Sequence, residues 1–142
     1  MSFGNGLFFN GTGTGVVSLI QSLTAAEIKR LATSPIDLSA LYPATAGKYW
    51  RIVECDIQYI DGSAPFTNTI ETSTNGATQT QYSYDLSLLF GGGDVLFGLT
   101  DRRAVGVSVY KANKNLQITA SGDSITGDGS ATIYISAELV TY

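Results

Sequence analysis

The chain has 142 residues, of which 44% are hydrophobic and 14% are charged, and its formal net charge is −4. This length is typical of a single domain that buries roughly two-thirds of its unfolded surface, and the apolar content excludes a disordered chain. The eight Lys and Arg residues are scattered, which excludes a basic groove that follows nucleic-acid phosphates. A charged fraction well below the usual value of about 25% favours a surface that assembles with other subunits.

The chain contains no histidine. This excludes the Ser-His-Asp and Cys-His nucleophile systems and the ordinary zinc sites built from His and Cys. The single cysteine, Cys55, cannot form an intrachain disulfide and is expected to be a small buried apolar side chain. We find no signal-peptide pattern and no run that approaches the ~20 apolar residues of a membrane helix. We therefore expect no enzyme, no cofactor or metal site, and no nucleic-acid or membrane partner.

Residues 1–15 form a glycine-rich N-terminal arm, and residues 16–142 are predicted to form a single β-sandwich domain. The arm carries isolated apolar side chains between glycines that let the chain bend around another surface. Such an arm either covers part of its own core or reaches a neighbouring subunit. Its candidate interface residues are Phe3, Leu7, Phe8 and Phe9.

The clearest helix signal follows a first strand that is predicted from Val16 to Ile20. Thr24 and Glu27 have the spacing of a capping box, in which the hydroxyl and the carboxylate each accept a backbone N–H at the helix start. Ile28 and Leu31 then fall on one face. A proline at position 35 ends the pattern, so the sequence predicts one short helix.

The remaining chain has the period of two that is typical of strands. The stretch Lys48 to Ile60 alternates apolar and polar residues, and Asn75-Gly76 predicts a hairpin between FTNTIET and TQYSYDLSLLF. The segment DVLFGLTDRR is predicted to be a short helical turn or a loop. Further strands are predicted at AVGVSVY, LQITA and ATIYISAELVTY. The apolar face of the long strand is expected to carry Val53, Cys55, Ile57 and Tyr59.

Seven or eight strands with only one helix predict antiparallel pairing, because crossover helices that link parallel strands are missing. A sandwich, a jelly roll or a barrel satisfies this pattern, and long unequal loops favour the jelly roll. The predicted fold is therefore an all-β, antiparallel jelly-roll-like sandwich of about eight strands, with one short helix and an extended N-terminal arm.

Three patterns have a chemical interpretation beside a plain structural one. Glu54 and Asp56 lie two apart on the polar face of a strand, at roughly 6 to 7 Å, which suits a paired-carboxylate site. Carboxylates there are more often simply solvated, or they contact a basic residue of a neighbouring subunit. The sequence GDGS at 127–130 lacks calcium-loop spacing and is read as a turn. Tyrosines on a sheet either stack on sugars or fill a sheet face, and those concerned are Tyr82, Tyr84 and Tyr134.

Several stretches of the chain resemble small proteins of tailed bacteriophages. They are the helix entry LTAAEIKRL, the turn SPIDL, the strand start AGKYWRI, the turn YIDGSAPF and the ending TGDGSATIYISAELVTY. The resemblance begins at about Leu23 and leaves out the glycine-rich arm. It implies a virion structural protein, namely a jelly-roll cement protein that sits as a trimer on the capsid surface. No functional residue carries over, because such proteins act through surfaces.

The predicted function is that of a phage capsid decoration (cement) protein. It would bind the major capsid protein on the outside of the head as a homotrimer and stabilise contacts between capsomers, with the arm residues at the interface. The alternative is a receptor- or carbohydrate-binding module of a tail or head fibre. That module would use the tyrosine-rich strands and the loop from Ser121 to Ser130.

Overall fold

The structure is a computed structural model that describes residues 8–9, 15–75, 82–88, 91, 93–98, 100–101 and 111–141. Its described residues form two five-stranded antiparallel sheets and one short α-helix, and no described helix is long and apolar enough to span a membrane. The elements are β1 (Phe8–Phe9), β2 (Val16–Leu23), α1 (Ala25–Lys29), β3 (Ile36–Asp37), β4 (Lys48–Ile60), β5 (Thr69–Thr74), β6 (Tyr82–Asp85), a 3₁₀ turn (Leu86–Leu88), β7 (Val95–Gly98), β8 (Thr100–Asp101), β9 (Leu116–Thr119) and β10 (Ser130–Thr141).

The strand order shows how the chain is wound. The first sheet has the order β1-β2-β10-β4-β7 and the second has the order β3-β9-β5-β6-β8. The pairs β2·β10, β3·β9, β4·β7 and β5·β6 are nested, so that the first half of the domain pairs with the second half in reverse order. This rolled-up long hairpin is the jelly-roll arrangement, and the predicted all-β fold of about eight strands is confirmed. The two short strands β1 and β8 are additions to it.

The core lies between the two sheets, and strands β4 and β10 are its longest contributors. They pair along twelve residues of β10, and Ile57 lies opposite Ile133 with both side chains fully buried. Alternate residues of β10 point inward, as their spacing predicts. The buried alternation of that strand continues through Ile135 and Ala137.

A β-bulge shifts the register within β4. Glu54 lies opposite Ser136 whereas Ile52 lies opposite Ala137, so Val53 has no partner of its own on β10. The extra residue lets Ile52 and Cys55 both face the core although they are three apart. The prediction that Val53 lies on the apolar face is therefore wrong, and its side chain is 46% exposed.

Helix α1 begins as its sequence predicts. The Thr24 side chain accepts the Glu27 N–H at 3.2 Å, and the Glu27 carboxylate accepts the Thr24 N–H at 2.9 Å, which completes the capping box. Ile28 and Leu31 are fully buried in the core. Asn68 ties the helix to the second sheet by donating its side-chain amide to the Ile28 carbonyl at 2.9 Å. A helix of five residues is stable here because tertiary contacts hold it.

Two of the predicted segments fold differently from expectation. The segment from Asp94 on was predicted to be a turn or a loop, but Val95–Gly98 is strand β7, because its short apolar run pairs with β4. The hairpin between β5 and β6 is confirmed, but β6 ends at Asp85 and a 3₁₀ turn follows. The predicted strand AVGVSVY and the hairpin tip lie outside the described residues. The domain boundary at residue 15 stays a prediction.

We predict that Ile57→Ala lowers the free energy of unfolding by about 2–5 kcal/mol, because it leaves a cavity in the middle of the core. Urea denaturation followed by tryptophan fluorescence would measure it. Val53→Ala on the same strand is the matched control, since trimming an exposed side chain should change stability by no more than about 0.5 kcal/mol. Equal losses in the two variants would contradict the described packing of β4.

Candidate interaction surfaces

The arm residues are placed only in part. Phe3 and Leu7 lie outside the described residues. Phe8 and Phe9 form strand β1, whose backbone pairs antiparallel with β2 opposite Ser18 and Val17. This pairing adds residues 8–9 to the edge of the first sheet within one chain. The role of these four residues at an interface stays a prediction.

The loop at residues 121–130 is joined to the end of the helical segment. The Asp123 carboxylate accepts the N–H groups of Ala32 and Thr33 at 3.0 and 3.1 Å, and the Thr33 hydroxyl at 2.7 Å. The backbone N–H of Ser124 donates to the Lys29 carbonyl at 2.9 Å. The last carbonyls of a helix lack intrahelical partners, and the Ser124 N–H supplies one for Lys29, while Asp123 satisfies the N–H groups of the turn that follows the helix.

The other side of the same loop is joined to the turn before β5. The Ser124 hydroxyl accepts the Thr67 N–H at 2.9 Å and donates to the Thr126 carbonyl at 2.7 Å. The Asp128 carboxylate accepts the Ala64 N–H at 2.8 Å and also the Ser63 hydroxyl. The prediction that GDGS forms a turn is therefore not confirmed: residues 127–129 are an irregular connection that leads into β10 at Ser130. Within the described residues, no group of three or more acidic or Cys side chains is placed to hold a metal ion.

Gly127 lets this loop pack directly on the core. Its φ is +120°, a conformation that side-chain-bearing residues rarely adopt. A Cβ atom at this position would lie 2.1 Å from the ring of Phe66, which is fully buried beneath the loop. A glycine is therefore required by both the backbone and the close approach.

The hydrogen bonds of this loop lower the pKa values of its two carboxyl groups. The Thr33 hydroxyl, together with the neighbouring backbone N–H groups and Arg30, stabilises the charged form of Asp123 and lowers its pKa. The Ser63 hydroxyl and the Ala64 N–H do the same for Asp128. Both side chains act as fixed acceptors that hold the loop in shape.

Ile125 lies in the middle of this restrained loop. Its side chain is 94% exposed, the largest exposure among the large hydrophobic residues that the structure describes. A single exposed apolar side chain is common on proteins. Here it is held by a backbone that is bonded on both sides, so its position is fixed before any partner arrives.

A second surface lies on the first sheet, on the face that points away from the core; we call it the outer face. Glu54 and Asp56 both point out from β4, as their alternation predicts, and Tyr134 points out from β10. These three side chains line a hollow of about 280 Å³, which we call the outer-face hollow. The sequence predicted that the two carboxylates share a face. The serine and apolar residues around them, such as Ser18, Ser136 and Leu96, come from other strands and were not predicted.

The proposed tyrosine platform is not assembled. Tyr82 and Tyr84 belong to β6 in the second sheet and pack partly against the core, and the Tyr82 hydroxyl donates to the Ile52 carbonyl at 3.4 Å. Tyr134 belongs to the other sheet and faces outward. The alternation of these tyrosines with other residues correctly predicts strands. It does not predict which sheet each strand joins, because that depends on pairing between residues far apart in the sequence.

Cys55 is buried in the core, as predicted. Burial raises its pKa to about 12, the Thr72 hydroxyl 3.8 Å from its sulfur partly offsets this, and the charges of Asp56 and Glu54 raise it further. A thiol with such a pKa carries almost no thiolate at neutral pH. Cys55 is therefore a buried core residue and not a reactive thiol.

No protein-family model matches the chain, and no curated protein matches it. Among solved structures, the chain is similar to one titled "Cyanophage Pam1 capsid asymmetric unit", with 16% sequence identity and a TM-score of 0.49 over 93% of this chain and 91% of that chain. At this identity and TM-score the likeness assigns no function. The assignment of the jelly-roll fold rests on the strand order of this chain alone.

We predict that Asp123→Asn destabilises the protein at neutral pH and loses this effect in acid. Because the folded-state pKa is lowered, the carboxylate stabilises the fold above its ordinary value of 3.8, and this contribution disappears as pH falls through the lowered value. Urea midpoints of both proteins across the acid range would measure the convergence.

Asp56→Asn is the control for this experiment, since no described residue donates a hydrogen bond to that half-buried carboxylate. Its urea midpoint at neutral pH should match that of the unchanged protein. A deficit of Asp123→Asn that is equally large at neutral pH and well below pH 3.8 would contradict the role of the charged form.

We also predict that Cys55 does not react with a thiol reagent in the native protein at pH 8 and reacts fully in denaturant. Burial keeps the reagent out and the raised pKa removes the thiolate that attacks it. Colorimetric thiol titration would measure both states. Rapid modification of the folded protein would contradict the described placement of the strand.

Proposed function

We propose that this protein is a phage capsid decoration (cement) protein. It binds the outside of the head as a homotrimer, contacts the major capsid protein and stabilises the contacts between capsomers. The observation that carries the proposal is the restrained loop at residues 121–130, which presents Ile125 outward from a fixed backbone. The action we propose is binding alone, without catalysis.

A rigid apolar contact suits a protein that must hold two surfaces together. Full burial of an isoleucine side chain contributes about 1.5–3 kcal/mol. Because the loop is already ordered by Asp123, Ser124 and Asp128, little conformational entropy is lost when a partner covers it. Repeated over many copies on a shell, such a modest contact has a large total effect.

The composition and the sequence resemblance support the same assignment. The chain carries few charges for its size, and interface cores are depleted in charged residues. The stretches from LTAAEIKRL to YIDGSAPF resemble small structural proteins of tailed phages. In this proposal the arm residues Phe3, Leu7, Phe8 and Phe9 add contacts to the capsid or to a neighbouring subunit.

We predict that Ile125→Asp reduces occupancy of the encoding phage's heads at least about tenfold, because it places a charge in an apolar contact. Heads that lack the protein would be incubated with purified variants and the bound copies counted by cryo-electron microscopy. Val53→Asp is the matched control, since it changes an exposed apolar residue on β4 in the same way.

The outcomes separate the parts of the proposal. Density on the tail, or none on the head, would overturn the decoration role. Equal occupancy by the two variants would remove Ile125 from the interface. Light scattering tests the trimer, and a monomeric mass would refute it. Deletion of residues 1–12 with trimer and occupancy unchanged would exclude the arm residues from both contacts.

A further inference from the structure

We infer that the outer-face hollow is a binding site for one uncharged sugar unit. The inference goes beyond capsid attachment, because it concerns a different surface and a different ligand. Its evidence is the geometry of the hollow, the apolar side chains beside it and the acceptors that converge on it.

The hollow exists because of the side chains that the register brings together. Ser18 and Ser136 lie directly opposite each other on β2 and β10, and their hydroxyl oxygens are 2.9 Å apart. On the other side, Asp56 lies opposite Gly98 of β7, a residue without a side chain. Two short side chains and one missing side chain leave a depression of about 280 Å³ in the sheet face.

Apolar groups form part of the lining. Tyr134 lies opposite Ile20 on β2 and opposite Asp56 on β4, so a ring and a branched side chain stand together above the serine pair. Leu96 of β7 lines the other side and is 68% exposed. A ligand that covers these groups removes apolar surface from water, which favours binding.

The polar groups of the hollow are mainly acceptors. The carboxylates of Glu54 and Asp56 stand on one face of β4, about 6–7 Å apart by strand rise, and within the described residues neither is hydrogen-bonded or ion-paired. The basic residue of this face, Arg51, is paired with Glu138 beyond the bulge. Hydroxyl donors of a ligand can therefore form charge-assisted hydrogen bonds with free carboxylate oxygens.

These features together select the chemical class of the ligand. A sugar ring has a C–H face for Tyr134 and Ile20, and hydroxyl groups that donate to Glu54 and Asp56. The volume admits one ring and not an extended chain within the hollow. Two carboxylates would repel a phosphorylated, sulfated or acidic sugar, so anionic sugars are disfavoured and the sugar we propose carries no negative charge.

A basic side chain of a protein partner is the competing occupant. It would pair with the carboxylates, but it would cover less of the apolar lining formed by Ile20, Leu96 and Tyr134. A sugar ring uses the carboxylates, the hydroxyls and the aromatic face at once. The lining therefore favours the sugar.

Titration followed by ¹H–¹⁵N NMR would test the inference on the full chain. The probes are neutral methyl hexosides and N-acetylhexosaminides, with a glucuronide as anionic control and a short Lys/Arg peptide as the competing ligand. We expect at least one neutral sugar to bind with a Kd on the order of 1 mM, as is reasonable for one ring in an open site. Shifts should centre on Ser18, Asp56 and Ser136.

Variants assign the binding to the hollow. Tyr134→Ala and Asp56→Asn should each weaken the sugar at least about tenfold, and Ser136→Leu should abolish binding by filling the space. Thr132→Ala is the matched control, because it lies on β10 outside the hollow. Its affinity should match that of the unchanged protein.

The remaining outcomes decide against the inference. No binding of any neutral sugar, shifts that centre elsewhere, or binding of only the basic peptide with strong salt dependence would overturn it. Capsid occupancy, measured on the same variants, is expected to stay unchanged. A failure of decoration with intact sugar binding would therefore overturn only the proposed function, and the reverse would overturn only this site.

Discussion

The antiparallel pairing of β4 with β10 is the constraint on which the rest of the structure depends. It joins the middle of the chain to its last strand and places Ile57 against Ile133 at the centre of the core. Once these strands are in register, the loop before β10 must return past the helix, and β2 must pair with the free edge of β10. Such distant pairing is slow to form. The chain loses the entropy of closing long loops before it gains most of the contacts that offset this loss. Local signals, above all the capping box at Thr24, reduce the number of chain conformations that must be sampled before these strands pair.

The loop at residues 121–130 illustrates how a long connection becomes rigid without secondary structure. Residues 121–129 belong to no strand, so hydrogen bonds from side chains such as Asp123, Ser124 and Asp128 satisfy backbone groups of this loop and of the segments it contacts. Gly127 then allows it to lie on Phe66. The consequence is a surface loop that is nearly as fixed as a strand, and this is the property that makes an exposed Ile125 useful for contact.

The sequence predicts most of the elements and little of the site. Alternation along β10 and the Thr24–Glu27 spacing are local, and both are confirmed. The placement of Val53 is wrong because the apolar positions change from even to odd between Ile52 and Val53, and only the pairing with β10 shows that a bulge there turns Val53 outward. Strand β7 was not predicted because three apolar residues followed by a glycine are equally compatible with a turn until a partner strand is known.

The dependence on partner strands also explains why the sequence predicts only some of the residues that line the outer-face hollow. Glu54 and Asp56 stand out in any single sequence, since they are charged and two apart. Ser18, Ser136 and Gly98 carry no signal by themselves, because their shortness matters only when cross-strand register sets them beside a tyrosine. Tyr134 lies four residues into β10 from Ser130, about 13 Å along the strand from the end of the loop that presents Ile125. The strand that carries Tyr134 thus follows directly on the loop that carries Ile125, and the two proposed contacts use different residues of the chain.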